Sequence, residues 1–180
     1  MKEIEVKVLN IDKDKIESKL KKIGCELVKD EYQYNYIFDT EDRRLKNQYN
    51  GYLRIRKTVN KDESEKIKLT LKRNIEDSKF RKNIENNLNI DDIEEGINIL
   101  EALGYKLIHT GKKHRVSYRH KDILFEIDTW DKETYPNTYL EIEVIKEEDL
   151  KKAVQLLDIN KNNITKKSIE ELREEINLIK

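Results

Sequence analysis

The chain has 180 residues and 41% of them are charged, but its 37 Lys and Arg residues balance its 37 Asp and Glu residues. This neutral balance argues against general affinity for nucleic acid or for anionic membranes, both of which select a surplus of positive charge. A chain of this length without a Gly/Ser-rich linker is expected to form one domain over 1–180, with its own core.

Neither membrane spans nor disulfides are expected. No apolar run approaches the ~20 residues of a membrane-spanning helix, and Cys25 is the only cysteine in the sequence. The charged N-terminal segment also lacks the apolar stretch of a signal peptide. We therefore expect a cytoplasmic protein with a reduced thiol. The sequence does not set an oligomeric state, and a homodimer is left open.

The predicted elements begin with an amphipathic strand, MKEIEVKV, in which charged and apolar residues alternate. A helix follows, with Asp12 as its N-terminal cap and Gly24 at its end. A second helix is predicted to start at Asp91 and to end at Gly104. The other predicted strands cover 25–38, 51–59, 65–73, 79–89, 105–120, 122–130 and 139–146, and the last predicted helices cover 147–157 and 164–178.

The two Asp-capped helices lie in stretches that resemble each other, LNIDKDKIESKLKKIGCEL and LNIDDIEEGINILEALGYKL. This similarity suggests a fold of two related halves, although generic helix signals can produce it by chance. About eight strands joined mostly by short turns predict an antiparallel sheet. A sheet of that size tends to close into a barrel or to split into two layers, so we expect an α+β fold.

Each predicted strand places charged side chains on one face and apolar side chains on the other. Acids occur on three strands, as Glu3 and Glu5, Glu126 and Asp128, and Glu141 and Glu143, and bases on three others, as Arg54 and Arg56, Lys66 to Lys72, and Lys113 and Arg115. Ordinary solvated faces mix signs, because like charges on neighbouring positions repel each other. The pattern therefore predicts either a charged lumen inside a closed sheet or an open sheet whose charges form salt bridges.

The chemistry of a charged lumen points to one class of ligand. Carboxylates without nitrogen or sulfur ligands are typical of Mg²⁺ or Mn²⁺ sites. Converging Arg and Lys side chains are typical of phosphate sites, where Arg can bind two oxygens at once. Both kinds of residue in one lumen indicate a metal-bound polyphosphate.

Seven short motifs, in this order along the chain, resemble those of one known family. They are EIEVK at 3–7, YIFDT at 36–40, LRIR at 53–56, LTLK at 69–72, KHR at 113–115, FEID at 125–128 and LEIE at 140–143. Together they resemble the CYTH superfamily, the triphosphate tunnel metalloenzymes, which includes class IV adenylate cyclases and thiamine triphosphatases. The resemblance implies a closed eight-stranded antiparallel barrel, or tunnel, flanked by helices.

The resemblance also implies roles for individual residues. The implied ligands of Mg²⁺ or Mn²⁺ are Glu3, Glu5, Glu126, Asp128, Glu141 and Glu143, with Glu5 and Glu143 expected to be catalytic. The implied phosphate-binding residues are Lys7, Arg54, Arg56, Lys72, Lys113 and Arg115. Two positions depart from the family pattern: Asn83 stands where relatives often carry a second glutamate, which leaves Glu85 as the matching acid, and Ile169 stands where many have an aromatic residue.

These residues predict an enzyme whose partner is a small molecule that contains a triphosphate group. Our leading hypothesis is a metal-dependent phosphohydrolase acting on inorganic triphosphate or a nucleoside triphosphate. A class IV adenylate cyclase would use the same metal and phosphate ligands to make cyclic AMP and pyrophosphate. A non-catalytic polyphosphate-binding module is the third reading, although anion binding alone has no use for so many carboxylates.

Overall fold

The computed structural model describes residues 2–74 and 81–179. Within them the chain forms nine strands, five α-helices and a 3₁₀ turn at Lys161–Asn163. The strands are β1 (Lys2–Val8), β2 (Glu26–Asp39), β3 (Tyr52–Asn60), β4 (Glu65–Asn74), β5 (Arg81–Ile90), β6 (Lys106–His120), β7 (Ile123–Trp130), β8 (Tyr139–Val144) and β9 (Ile164–Thr165). The helices are α1 (Lys13–Lys22), α2 (Arg44–Tyr49), α3 (Ile93–Ala102), α4 (Glu147–Leu156) and α5 (Ile169–Glu175).

The strands form one antiparallel sheet in the order β5-β4-β3-β2-β6-β7-β8-β1-β9. The sheet curls far enough for β1 to pair also with β5, where Glu3 faces Asn83 and Glu5 faces Arg81 in the backbone register. The α+β class and the large antiparallel sheet are therefore confirmed. Strand β9 adds a two-residue pairing beside Lys7 and Val8.

The pairing pattern also supports the two-half interpretation of the sequence repeat. If β1, β2, β3 and β4 are exchanged with β5, β6, β7 and β8, respectively, the set of strand pairings among these eight strands does not change. The two halves meet where β1 pairs with β5 and where β2 pairs with β6. Helices α1 and α3 occupy equivalent places in the two halves, each between the first and second strand. Each is followed by a glycine with positive φ, Gly24 or Gly104, a conformation that glycine adopts without steric cost.

Two predicted boundaries were wrong, and a third lies partly outside the described residues. The α3 helix is capped by Asp92 rather than Asp91, because the Asp92 carboxylate accepts a hydrogen bond from the Glu95 backbone N–H at 2.9 Å. The segment 164–178 begins with β9 rather than a helix, and α5 starts only after Ser168, which forms a reciprocal capping box with Glu171. Of the predicted strand at 79–89, residues 79–80 lie outside the described residues.

Helix α2 was not predicted. Its sequence, RLKNQY, has no apolar stripe. Its start is stabilised by the buried carboxylate of Asp39, which precedes the helix in the chain. This carboxylate accepts hydrogen bonds from the backbone N–H groups of Leu45 and Lys46, at 2.9 and 3.1 Å. In the part of the chain that the structure describes, no helix combines the length and apolarity needed to cross a membrane.

The hydrophobic core lies on the outer side of the curled sheet. Apolar side chains of β1, β6, β7 and β8 pack against α1 and α4, for example Val6 and Phe125 against Leu20 and Leu150. A second cluster packs α3 onto the outer side of β2 and β3, around Phe38, Ile55 and Leu100. Because side chains alternate along a strand, this arrangement turns the charged faces inward.

Candidate functional site

The curled sheet surrounds a cavity of about 1220 Å³. Ten of the twelve predicted site residues line it: Glu5, Lys7, Arg54, Arg56, Lys72, Lys113, Arg115, Glu126, Glu141 and Glu143. Asp128 does not line the cavity, and the side chain of Glu3 lies outside what the structure describes. The inward orientation expected from the strand pattern is confirmed, and salt bridges link many of the inward charges. The charged lumen and the salt-bridged sheet are thus parts of one arrangement.

The acidic side of the cavity is built by neighbouring strands β1, β7 and β8. Glu5 lies opposite Glu143 in the backbone register, and Glu141 lies opposite both Lys7 and Glu126. Like charges placed opposite each other across two strands repel, so this side of the cavity is suited to hold positive charge. Part of that charge comes from Lys7, whose Nζ is 3.8 Å from Glu141 Oε1.

Asp128 is the centre of a buried ion-pair network on β6, β7 and β8. Its carboxylate accepts two hydrogen bonds from Arg115, at 2.7 and 2.6 Å, and one from Lys113 Nζ at 2.8 Å. The Tyr139 hydroxyl donates to the same carboxylate at 3.1 Å. Burial opposes ionisation of Asp128, but the charges of Arg115 and Lys113 outweigh it and lower the pKa of this carboxyl. Asp128 thus orients two cations toward the cavity, which sequence alternation alone could not show.

The same network determines the ion pairs of Arg115 and the pKa of Lys113. Arg115 also contacts Glu126, and its Nη2 lies 3.3 Å from Glu141 Oε2. Burial and repulsion by Arg115 lower the pKa of Lys113 to about 7, although Asp128 favours its charged form. The Lys113 ammonium can therefore exchange a proton near neutral pH.

The basic side of the cavity is built by β3 and β4. Lys72 Nζ lies between two carboxylates, 3.4 Å from Glu5 Oε2 and 3.2 Å from Glu85 Oε1. Burial opposes the charge on Lys72, but Glu5 and the other nearby acids raise the pKa of this group. Burial and repulsion by Arg54 and Arg115 lower the pKa of Arg56 to about 9, so Arg56 stays charged at neutral pH. Arg56 Nε donates to Asn35 Oδ1 at 2.7 Å.

Several lining residues were missed as site residues. Strand β2 contributes Glu31, Gln33 and Asn35, and strands β4 and β5 contribute Thr70 and Asn87. Their alternation with apolar or aromatic neighbours is the signal that places them on the inner face. His109, Trp130 and Arg173 line the cavity where α2 and α5 border it, and that placement depends on tertiary contacts.

The residues fit a hard divalent cation by their chemistry. In the described ranges 2–74 and 81–179, no group of three or more His, Cys, Asp or Glu side chains is arranged to hold a metal ion. Mg²⁺, however, is usually bound by one or two carboxylates together with substrate phosphates rather than by a protein cage. Glu5 and Glu143, which face each other on β1 and β8 and both line the cavity, would supply such oxygen ligands.

Comparison with known proteins places this chain in one family. The model of the CYTH domain matches residues 1–171, so the chain belongs to the CYTH family. A protein of Methanocaldococcus jannaschii, provisionally named an adenylate cyclase, is 34% identical over 184 residues, covering 96% of this chain and 99% of that protein.

Solved structures show the same fold at lower identity. A protein from Pyrococcus horikoshii OT3 superposes with a TM-score of 0.80 at 22% identity, covering 97% of this chain and 99% of the other. A Hippeastrum protein, provisionally named an adenylyl cyclase and described as having a dominant triphosphatase activity, superposes with a TM-score of 0.65 at 17% identity. That superposition covers 93% of this chain and 90% of the Hippeastrum protein.

Proposed function

We propose that this protein is a divalent-metal-dependent phosphohydrolase that acts on inorganic triphosphate or a nucleoside triphosphate. The observation that carries the proposal is the convergence of both charge types in one cavity. Arg54, Arg56 and Lys72 line it together with Glu5 and Glu143, and Lys72 Nζ lies 3.4 Å from Glu5 Oε2. The activity described for the Hippeastrum protein is of the same class.

The curled sheet would act as the closed tunnel that this function requires. The β1–β5 pairing brings the two sides of the sheet together next to Glu5. A substrate inside such a tunnel would be shielded from bulk water, and a lower effective dielectric strengthens its electrostatic contacts with the lining. Closure would therefore add to the grip of the basic residues on the phosphates.

The mechanism we propose assigns binding to the basic strands and metal ligation to the acidic ones. Arg54, Arg56 and Arg115 would hold phosphate oxygens and stabilise the charge that builds up during phosphoryl transfer. Lys113 Nζ, with its pKa near 7, would hold or release a proton beside them. Glu5 and Glu143 would hold Mg²⁺ or Mn²⁺, which would supply charge neutralisation and a water of lowered pKa.

A class IV adenylate cyclase is the second candidate, because the 34% identical relative from Methanocaldococcus jannaschii is provisionally named so. In that reaction the ribose 3′-hydroxyl would attack the α-phosphorus and expel pyrophosphate. The same cations would hold the triphosphate, so the products rather than the phosphate-binding residues distinguish the two activities.

The decisive experiment supplies tripolyphosphate, ATP, GTP and thiamine triphosphate, each with Mg²⁺ or Mn²⁺, and identifies the products. We expect orthophosphate from one or more substrates and no product when EDTA removes the metal. Cyclic AMP plus pyrophosphate from ATP would identify the cyclase instead. Tight binding of tripolyphosphate without turnover under either metal would contradict both enzymes.

Replacing Arg56 by Ala should weaken substrate binding more than it slows turnover. A hydrogen bond to a charged group contributes about 1.5–3 kcal/mol, so KM for tripolyphosphate should rise about 10- to 100-fold. Steady-state kinetics would measure this, with Arg44→Ala as the matched control because Arg44 is an exposed arginine outside the cavity lining. An unchanged KM would remove Arg56 from the phosphate site.

A further inference from the structure

The cavity continues past the charged strands into a region bordered by α2 and α5. The lining there has a different character, and it includes Asn47, His109, Trp130, Thr134, Ser168, Ile169 and Arg173. Helix α5 is fixed in place because Leu172 and Ile169 pack with Trp130 and Tyr139. Ion pairs join its Glu170 to Arg43 and Lys46 of the α2 region.

We call this part the α5 region of the cavity. Arg43 and Arg173 line it, and within the described part of the chain the Nε of each is buried without a hydrogen-bond acceptor, but Arg43 has ion-pair partners in Asp39 and Glu170. Only 9% of Arg173 is exposed, and its Nε has no hydrogen-bond acceptor among the residues that the structure describes. The two acids whose charges act on Arg173, Glu170 and Asp131, have other partners. Glu170 contacts Arg43 and Lys46, and Asp131 accepts hydrogen bonds from the backbone N–H groups of Thr134 and Lys112.

A buried donor without an acceptor is costly, because it has lost its water without gaining a partner. Burial lowers the pKa of Arg173, in keeping with this incomplete compensation. A donor that is buried, unpaired and in the wall of a cavity is therefore placed to receive an oxygen atom from a ligand.

The neighbouring groups favour an uncharged organic group over another phosphate. His109 Nε2 lies 3.1 Å from Thr134 Oγ1, and burial together with the charge of Arg173 lowers the pKa of His109, which favours its neutral ring. Trp130 adds an aromatic surface, held by a hydrogen bond from its Nε1 to the Tyr139 hydroxyl at 3.0 Å. Aromatic side chains of this kind stack against any nucleobase, because every base has a π-face.

Trp130 also connects the α5 region to the phosphate site. Lys113 Nζ lies 5.0 Å from the centroid of the Trp130 ring, within the range of a cation–π contact. If Lys113 holds a phosphate chain, a group attached to that chain would therefore lie beside the Trp130 indole. Arg173 lines the same continuous cavity.

We propose that Arg173 donates a hydrogen bond to an oxygen of the nucleoside part of a nucleoside triphosphate whose phosphates occupy the charged strands. Arg173 is then a specificity-determining residue, and the cavity favours nucleoside triphosphates over inorganic triphosphate. This inference rests on the proposed function, because it needs a triphosphate in the cavity.

The test compares the wild-type protein, Arg173→Met and the control Arg44→Met, an exposed arginine outside the cavity lining. KM values are measured for tripolyphosphate, ATP, GTP and UTP. Loss of a hydrogen bond from a charged donor corresponds to about 10-fold or more in affinity. We expect Arg173→Met to raise KM for nucleoside triphosphates about 10-fold relative to its own KM for tripolyphosphate, and Arg44→Met to leave that ratio unchanged.

The nucleotide panel also identifies the oxygen. An equal effect on ATP, GTP and UTP indicates a ribose oxygen, whereas an effect confined to GTP and UTP indicates a base carbonyl, and either result supports the proposal. Equal effects on tripolyphosphate and nucleotides, or a wild-type protein that binds tripolyphosphate but no nucleotide, would overturn it while leaving the proposed function standing. A wild-type protein that binds neither would overturn both.

Thermal unfolding separates this role from a structural one. Removing a buried unpaired donor should not destabilise the unliganded protein, so the Tm of Arg173→Met without ligand should be at least that of the wild type. The rise in Tm caused by ATP should shrink in the variant. A lower unliganded Tm with an undiminished ATP-induced rise would mean that Arg173 only supports the packing of α5, and the proposal would fail.

Discussion

Replacing Glu5 by Gln is expected to lower turnover of tripolyphosphate about 10³-fold while leaving the fold intact. The magnitude follows from the several kcal/mol of transition-state stabilisation that a bound metal supplies. Glu5 is 6% exposed, lines the cavity and faces Glu143 across the β1–β8 ladder. Gln preserves its shape but removes the negative charge that a divalent cation needs. The fold should survive, because Lys72 keeps its contact with Glu85 at 3.2 Å.

The measurement is kcat with saturating Mg²⁺ or Mn²⁺, together with a urea unfolding curve for the same preparation. Glu101→Gln serves as the matched control, since Glu101 is exposed on α3 and does not line the cavity. Turnover by Glu5→Gln within about 10-fold of the wild type would remove Glu5 from the metal site, because tenfold corresponds to only about 1.4 kcal/mol. Full activity of the wild type in EDTA would contradict the metal requirement itself.

The strand faces could be predicted from the sequence because they depend on a local rule. Alternation along one strand is enough to put Glu5 and Lys7 on one face and Val6 on the other. The same rule placed Arg54 and Arg56 in the cavity. The capped helices α1 and α3 were predictable for a similar reason, since a cap and a following glycine are local signals.

What the sequence did not reveal depends on contacts between distant segments. Asp128 lies on the face of β7 that the alternation predicts. Its carboxylate is bound by Arg115, Lys113 and Tyr139, so it is buried and does not line the cavity. The start of α2 depends on a hydrogen bond to Asp39, and the sequence RLKNQY contains no periodic pattern that would predict a helix. The cavity-lining position of Arg173 depends on how α5 packs against Tyr139, and helical periodicity alone does not say which segment a helix will meet.

Replacing Asp128 by Asn should destabilise the protein by about 3–5 kcal/mol, the usual loss when one partner of a buried ion pair is removed. Asp128 is fully buried and Lys113 is 3% exposed, so water cannot replace the lost charge. Urea unfolding measures the effect, with the exposed Asp122→Asn as the control. A loss below about 1 kcal/mol, the range of exposed pairs, would show that Asp128 does not hold the two cations.

The pH dependence gives that prediction a second, independent check. Burial and Arg115 lower the pKa of Lys113 to about 7 in the folded protein, below its ordinary value in the unfolded chain. Between these two values the unfolded state binds more protons, so Lys113 makes stability rise as the pH rises. At pH 9 Lys113 is mostly neutral in the folded protein, so the Asp128 carboxylate stabilises it less than it does at pH 6, where Lys113 is charged. The loss caused by Asp128→Asn should therefore be larger at pH 6 than at pH 9, and an equal loss at both values would place Lys113 outside the network.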